Sequence, residues 1–190
     1  MADKLIKLLT KLATGKLVIV FILLVIAINA FVVPAVYPRF ETLDMKASYS
    51  AEEAYQLIAS YGEEGRQYYA IIELTLDVIY PLLSALMFSS LTIYFFRRVF
   101  PLNSFWQKLP LLGLIVMAVD YLENTAIVVM LLNYPRRLEV VAQAANMFTV
   151  AKFALSQLEL IVILVGLVGW LGKTVYTWVR RSTGEISHEK

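Results

Sequence analysis

Cysteine is absent from the 190-residue chain, and the single histidine, His188, lies in the polar C-terminal tail. Thiolate nucleophiles, disulfide exchange and Cys-ligated zinc or iron–sulfur centres are thereby excluded. So are haem and poly-His metal sites within apolar segments. Charge is scarce too: 17% of residues are Asp, Glu, Lys or Arg, against about 25% in a soluble domain. The net charge of +2 gives no reason to expect a nucleic-acid partner. No nucleotide-binding glycine motif, internal repeat or low-complexity tract is present, and no cofactor is expected. What fills the chain is apolar: 59% hydrophobic residues and a mean hydropathy of +0.69. Such a composition needs lipid as its solvent and predicts an integral membrane protein.

A bilayer core about 30 Å thick requires roughly 20 apolar helical residues. Four stretches qualify, at 17–36, 69–96, 109–133 and 148–172. The expected fold is all-α, an antiparallel four-helix membrane bundle in one domain, with an outer loop at 37–68 and a tail at 173–190. The first stretch follows Lys4, Lys7, Lys11 and Lys16 and exceeds the length of a cleaved signal core, so it reads as an uncleaved anchor. Val33-Pro34-Ala35 is the alternative, a processing site. Eleven Lys and Arg residues fall on the side of the termini and of the 97–108 turn, and five on the other; Lys152 falls within a span. The positive-inside rule then predicts cytoplasmic termini in a plasma or inner membrane.

Within the outer loop, Ser50-Ala51-Glu52-Glu53 has the capping-box pattern. Ala54, Leu57, Ile58 and Tyr61 recur at helical spacing until Gly62. A short amphipathic helix is expected there, as a lid over the helix ends or as a gate for substrate.

Six ionisable residues lie inside the spans: Glu73, Asp77, Asp120, Glu123, Lys152 and Glu159. A charge at mid-membrane costs about 2.5 to more than 10 kcal/mol unless paired, protonated or hydrated. Helical spacing sorts them into three stripes: Glu73, Asp77, Tyr80 and Ser84; Asp120, Glu123 and Asn124; Lys152, Ser156 and Glu159. Stripes that lipid will not solvate should converge inside a bundle. Measured from the outer span ends, Glu73 and Lys152 come out roughly 6 Å deep, Asp77 and Asn29 about 12 Å, and Glu123, Glu159 and Asp120 about 15 to 20 Å. The predicted cavity therefore occupies the outer half and is closed toward the cytoplasm. Five carboxylates against one ammonium would leave four uncompensated negative charges, so some of the carboxyls are expected to hold protons. Such groups are the raw material of acid–base chemistry and proton coupling. Pro81 should free the carbonyl of Asp77 and kink its helix beside the cluster.

Asp77, Asp120, Glu123 and Glu159 are accordingly the candidate acid–base groups. Glu73, Tyr80, Asn124, Lys152 and Ser156 are candidate ligand contacts. No metal site is expected: carboxylates alone could take Mg²⁺ or Ca²⁺, but no aspartate-rich spacing supports it. Structural readings compete with the functional ones. Lys152 with Asp77 or Glu73 would be a packing ion pair, and Glu123 with Asn124 could simply hydrogen-bond a neighbouring helix. Asn29 reads as interhelical glue, and Gly166, Gly169, Gly172 and Ala154 as a close-packing face.

The layout resembles four-helix membrane proteins of the emopamil-binding-protein and sigma-2-receptor type. A Tyr-rich segment with Gly and Arg (61–69) leads into an acidic span (Glu73, Asp77), a basic turn (97–108) and a second acidic span (Asp120, Glu123). The resemblance implies a carboxylate-bearing cavity that holds a lipophilic, often cationic, small molecule. The membrane histidine used by the sterol isomerases of that group is missing, so their reaction is not implied. Three function classes remain: binding of, or acid–base catalysis on, a lipophilic small molecule; proton-coupled transport; and a structural subunit of a membrane complex. Partners of the expected kinds are membrane lipid, the lipophilic ligand itself and a second copy of the chain.

Overall fold

The computed structural model describes residues 2–37 and 39–182; His188 and the rest of the tail beyond Ser182 lie outside the described residues. All regular structure in the described residues is helical. A basic amphipathic helix, α1 (Ala2–Leu12), precedes α2 (Gly15–Ala27), which is capped by the Thr14 hydroxyl accepting from Leu17 N. A widened turn at Ile28–Val32 and a last short turn, α3 (Val33–Val36), complete that rod. Pro34 supplies the reason for the wide turn, since it has no N–H for the regular ladder. Then come α4 (Ala51–Ser60), α5 (Gly62–Val99), α6 (Leu111–Asn133) and α7 (Glu139–Ser182). Four rods are long and apolar enough to cross a membrane: Gly15–Val36, Gly62–Val99, Phe105–Asn133 and Glu139–Ser182.

The capping box forms as expected: Ser50 Oγ accepts from Glu53 N, and the Glu53 carboxylate accepts from Ser50 N. Gly62, at φ +68°, takes the left-handed turn that ends α4 and starts α5. Glu63 and Glu64 open α5 and Arg97 and Arg98 close it, both in the sense the helix dipole favours. Helices α5, α6 and α7 pack on one another, while α2 lies against α5 with most of its surface exposed.

Two apolar cores hold the ends of this assembly. At the loop end, Leu43, Tyr49, Tyr55 and Ile58 pack on Tyr69, Ile127, Met130 and Ala142. Asn146 fixes the loop there, accepting from Tyr49 N at 2.9 Å and from Ser48 Oγ at 3.1 Å. The amphipathic α4 thus roofs the ends of α5, α6 and α7, which is the lid geometry. At the turn end, Phe95 and Phe96 pack on Val162 and Ile163. A Cβ on Gly166 would lie 2.7 Å from Phe96, and one on Gly169 2.8 Å from Val99, so these two glycines do permit close packing. Gly172 is a correction: nothing lies within 4 Å of the position its Cβ would take. The polar residues occupy the layer between the two cores.

Candidate functional site

Pro81 sets the local chemistry of α5. Lacking an N–H, it leaves the carbonyl of Asp77, four residues earlier, without its helical partner. The Asn124 side chain fills the gap, donating to Asp77 O at 2.9 Å, and Tyr121 donates to Val78 O at 2.7 Å. The helix runs unbroken through the proline. Sequence pattern located the freed carbonyl; its partner, Asn124, came from α6.

Facing α6 and α7 are matched in level by three contacts. Thr149 donates to Glu123 at 2.6 Å, Lys152 pairs with Glu123 at 2.6 Å and with Asp120 at 3.2 Å, and the Glu159 carboxylate lies beside Gly113. This register overturns the expected pairing of Lys152 with Asp77 or Glu73. The reason is depth: the apolar run of α7 begins near 148, but its helix begins at Glu139. Residue 148 is therefore level with about residue 124 of α6 rather than with 133, a displacement of roughly 14 Å along the axis. The two acids, spaced i and i+3 on α6, both face the ammonium. Glu123 is fully buried and hydrogen-bonded to its neighbouring helix as well as ion-paired.

Glu159 needs the second correction. Its level at Gly113, in the first turn of α6, puts it near the end that carries the 97–108 turn rather than in the half that carries the 37–68 loop. Only 3% of it is exposed, and its Oε1 has no hydrogen-bond partner. Gly113 is what admits it, since a Cβ there would sit 2.9 Å from Glu159 Oε1 and 2.8 Å from Ser89 Oγ. The polar layer is consequently longer than the expected outer-half cavity.

Two open spaces meet in this layer. One, of about 310 Å³, runs along Tyr80, Ser84, Gly113, Ser156 and Glu159. The other, of about 330 Å³, runs along Asn29, Tyr37, Asp44, Asp77 and Asn124. Tyr80, Asp120, Lys152 and Phe153 line both, so the ion pair stands at their junction. Asn29 donates to Tyr80 at 3.1 Å and to Val25 O at 2.9 Å, tying α2 to this wall as interhelical glue. Glu73 belongs to neither space. It borders a smaller cleft of about 130 Å³ with Tyr121 and Asn124, so the α5 stripe does not face one cavity throughout.

Asp44 is the residue sequence reasoning missed. It lies in the loop before α4, yet Tyr37 and Tyr69 both donate to its carboxylate, the latter at 2.5 Å. Carboxylate oxygens of Asp44, Glu73 and Asp77 all fall within 4.8 Å of one another. Burial, and after it the Asp44 carboxylate, push the Tyr37 phenol well above its usual range, which keeps it an O–H donor. Tyr61, whose hydroxyl donates to Glu41 O at 2.9 Å, and Tyr49 are raised chiefly by burial too. The one sequence signal for this arrangement is an Asp set between Leu43 and Met45 in a Tyr-rich segment, and Leu43 is fully buried.

Comparison with protein-family models, with curated proteins and with solved structures finds no match. Function has to be read from this geometry.

Proposed function

We propose that the chain, inserted as an antiparallel four-helix bundle in a plasma or inner membrane with both termini cytoplasmic, binds a lipophilic small molecule in the two joined cavities. The carrying observation is that Lys152 and Asp120 line both spaces. An ion pair serving packing alone would be enclosed by side chains; this one borders open volume of a size suited to a small ligand. A polar head would sit against Lys152 and Asp120, within reach of Tyr80 and Ser156, while the apolar body extends along Phe88, Val116 and Met117. Asp77, Asp120, Glu123 and Glu159 supply proton donors and acceptors, so the reaction class they support is proton transfer.

The level of Glu159 favours a second reading, proton-coupled transport. Carboxyl groups now run from Asp44 at the loop end to Glu159 near the turn end, and intramembrane acids are the usual proton carriers. A purely structural subunit is the third class.

Purification of wild type, Asp120→Asn and Glu159→Gln in native-lipid particles, followed by mass spectrometry of organic extracts, separates a ligand-holding site from a structural one. The ligand reading expects a lipophilic compound retained by wild type and lost from folded variants. Identical extracts with lowered stability would point to the structural subunit. Identical extracts with unchanged stability would contradict the site.

A further inference from the structure

Three carboxylates have been brought together without a cation. Oxygens of Asp44, Glu73 and Asp77 lie within 4.8 Å of one another, and no Lys or Arg among the described residues is within ion-pairing distance of them. Lys152, the nearest ammonium, is committed to Glu123 and Asp120 and reaches Asp44 only at its backbone carbonyl, at 3.5 Å. Glu73 carries the independent observation. It is 1% exposed, it points into the group, and neither of its oxygens has a hydrogen-bond partner. The Tyr69 hydroxyl stands near both acids but gives its hydrogen to Asp44. One oxygen of Asp77 is likewise buried and unpartnered. Buried carboxylates with empty lone pairs are costly unless something positive completes them.

We propose that Asp44, Glu73 and Asp77 form a binding site for one divalent cation of the size of Ca²⁺. The donor set is all oxygen, which selects hard cations. Three oxygens within 4.8 Å of one another have a common centre no more than about 2.8 Å from each. That span takes in Ca–O distances of about 2.3 to 2.6 Å, and an irregular set of one loop carboxylate and two from α5 suits Ca²⁺, which tolerates flexible geometry, better than Mg²⁺, which demands a near-ideal octahedron. Tyr37 and Tyr69 hold Asp44 in place, and the space bordered by Asp44 and Asp77 has room for the waters that complete the shell. The ion would tie the outer loop, through Asp44, to α5 at the mouth of the cavity. This site does not depend on the lipophilic-ligand reading.

The test uses the full chain in detergent, stripped with EDTA, with ⁴⁵Ca²⁺ and Tb³⁺ as probes. The expected result is one ⁴⁵Ca²⁺ per chain, tyrosine-sensitised Tb³⁺ emission, and displacement by Ca²⁺ at least tenfold better than by Mg²⁺. Glu73→Gln should weaken ⁴⁵Ca²⁺ binding by tenfold or more, and Asp44→Asn, changed in the loop, should do the same if Glu73→Gln fails to fold. Tyr37→Phe should lower Tb³⁺ emission. Glu159→Gln should bind ⁴⁵Ca²⁺ like wild type even where it has lost the lipophilic compound, so the two proposals fail separately. No ⁴⁵Ca²⁺ bound at millimolar concentration, binding unaltered in both carboxylate variants, or equal competition by Mg²⁺ would overturn the assignment.

Discussion

The side-chain amide of Asn124 donates to the main-chain carbonyl of Asp77 at 2.9 Å, on the carbonyl that Pro81 has deprived of its helical donor. A substitution at one residue should therefore be read differently according to the other. Asn124→Leu should cost about 1–3 kcal/mol, the range for orphaning a buried polar group. In a Pro81→Ala background the carbonyl regains a helical N–H, and the cost of Asn124→Leu should fall by more than half. Reversible unfolding of the four variants measures the coupling; additive costs would mean that the bond does not compensate the proline.

Lys152 lies between two acids, one of them fully buried. Lys152→Met should destabilise by about 3–5 kcal/mol, because it leaves buried charge uncompensated. Adding Asp120→Asn and Glu123→Gln should recover most of that loss. The same unfolding titration reports it, and a single variant as stable as the triple one would show that the ammonium neutralises nothing.

Glycines that look alike in sequence should behave differently. Gly166→Ala drives a methyl to 2.7 Å from the Phe96 ring and 3.0 Å from Phe95 Cβ, and should cost about 1–3 kcal/mol. Gly172→Ala meets nothing and should be neutral to slightly stabilising. Melting temperatures of the pair check the register of α5 against α7.

Acid should loosen the lid. The Ser50 backbone N–H at 2.6 Å holds the Glu53 carboxyl below its usual value near 4.5, and a hydrogen bond from Arg137 does the same for Glu52. A pKa depressed by folding contributes stability above the unfolded value and loses it as pH falls through the folded one. Between pH 6 and 3 the melting temperature of wild type should drop more steeply than that of Glu53→Gln. Parallel profiles would remove the capping box from the acid response.

Hydropathy made the four rods legible, and the Ser50 to Glu53 pattern made α4 legible, because both are local. The carboxylates were found for the same reason: a charge in an apolar run is visible without knowing its neighbours. What pattern missed was levels and long-range folding. The apolar edge of α7 near 148 stands nine residues inside the helix that begins at Glu139, so Lys152 and Glu159 were placed too near the loop end of the bundle. Asp44 reaches the site through the buried Leu43 beside it, the Tyr37 and Tyr69 hydroxyls, and a loop fixed by Asn146, about a hundred residues later, and no spacing rule reports such contacts.

A structure determined by electron cryomicroscopy in native-lipid particles tests the central claim most directly. The account expects non-protein density spanning the joined cavities, with a polar end against Asp120 and Lys152 and an apolar end toward Phe88 and Met117. A collapsed interior, with Lys152 enclosed by its carboxylates and no density between α5, α6 and α7, would contradict it.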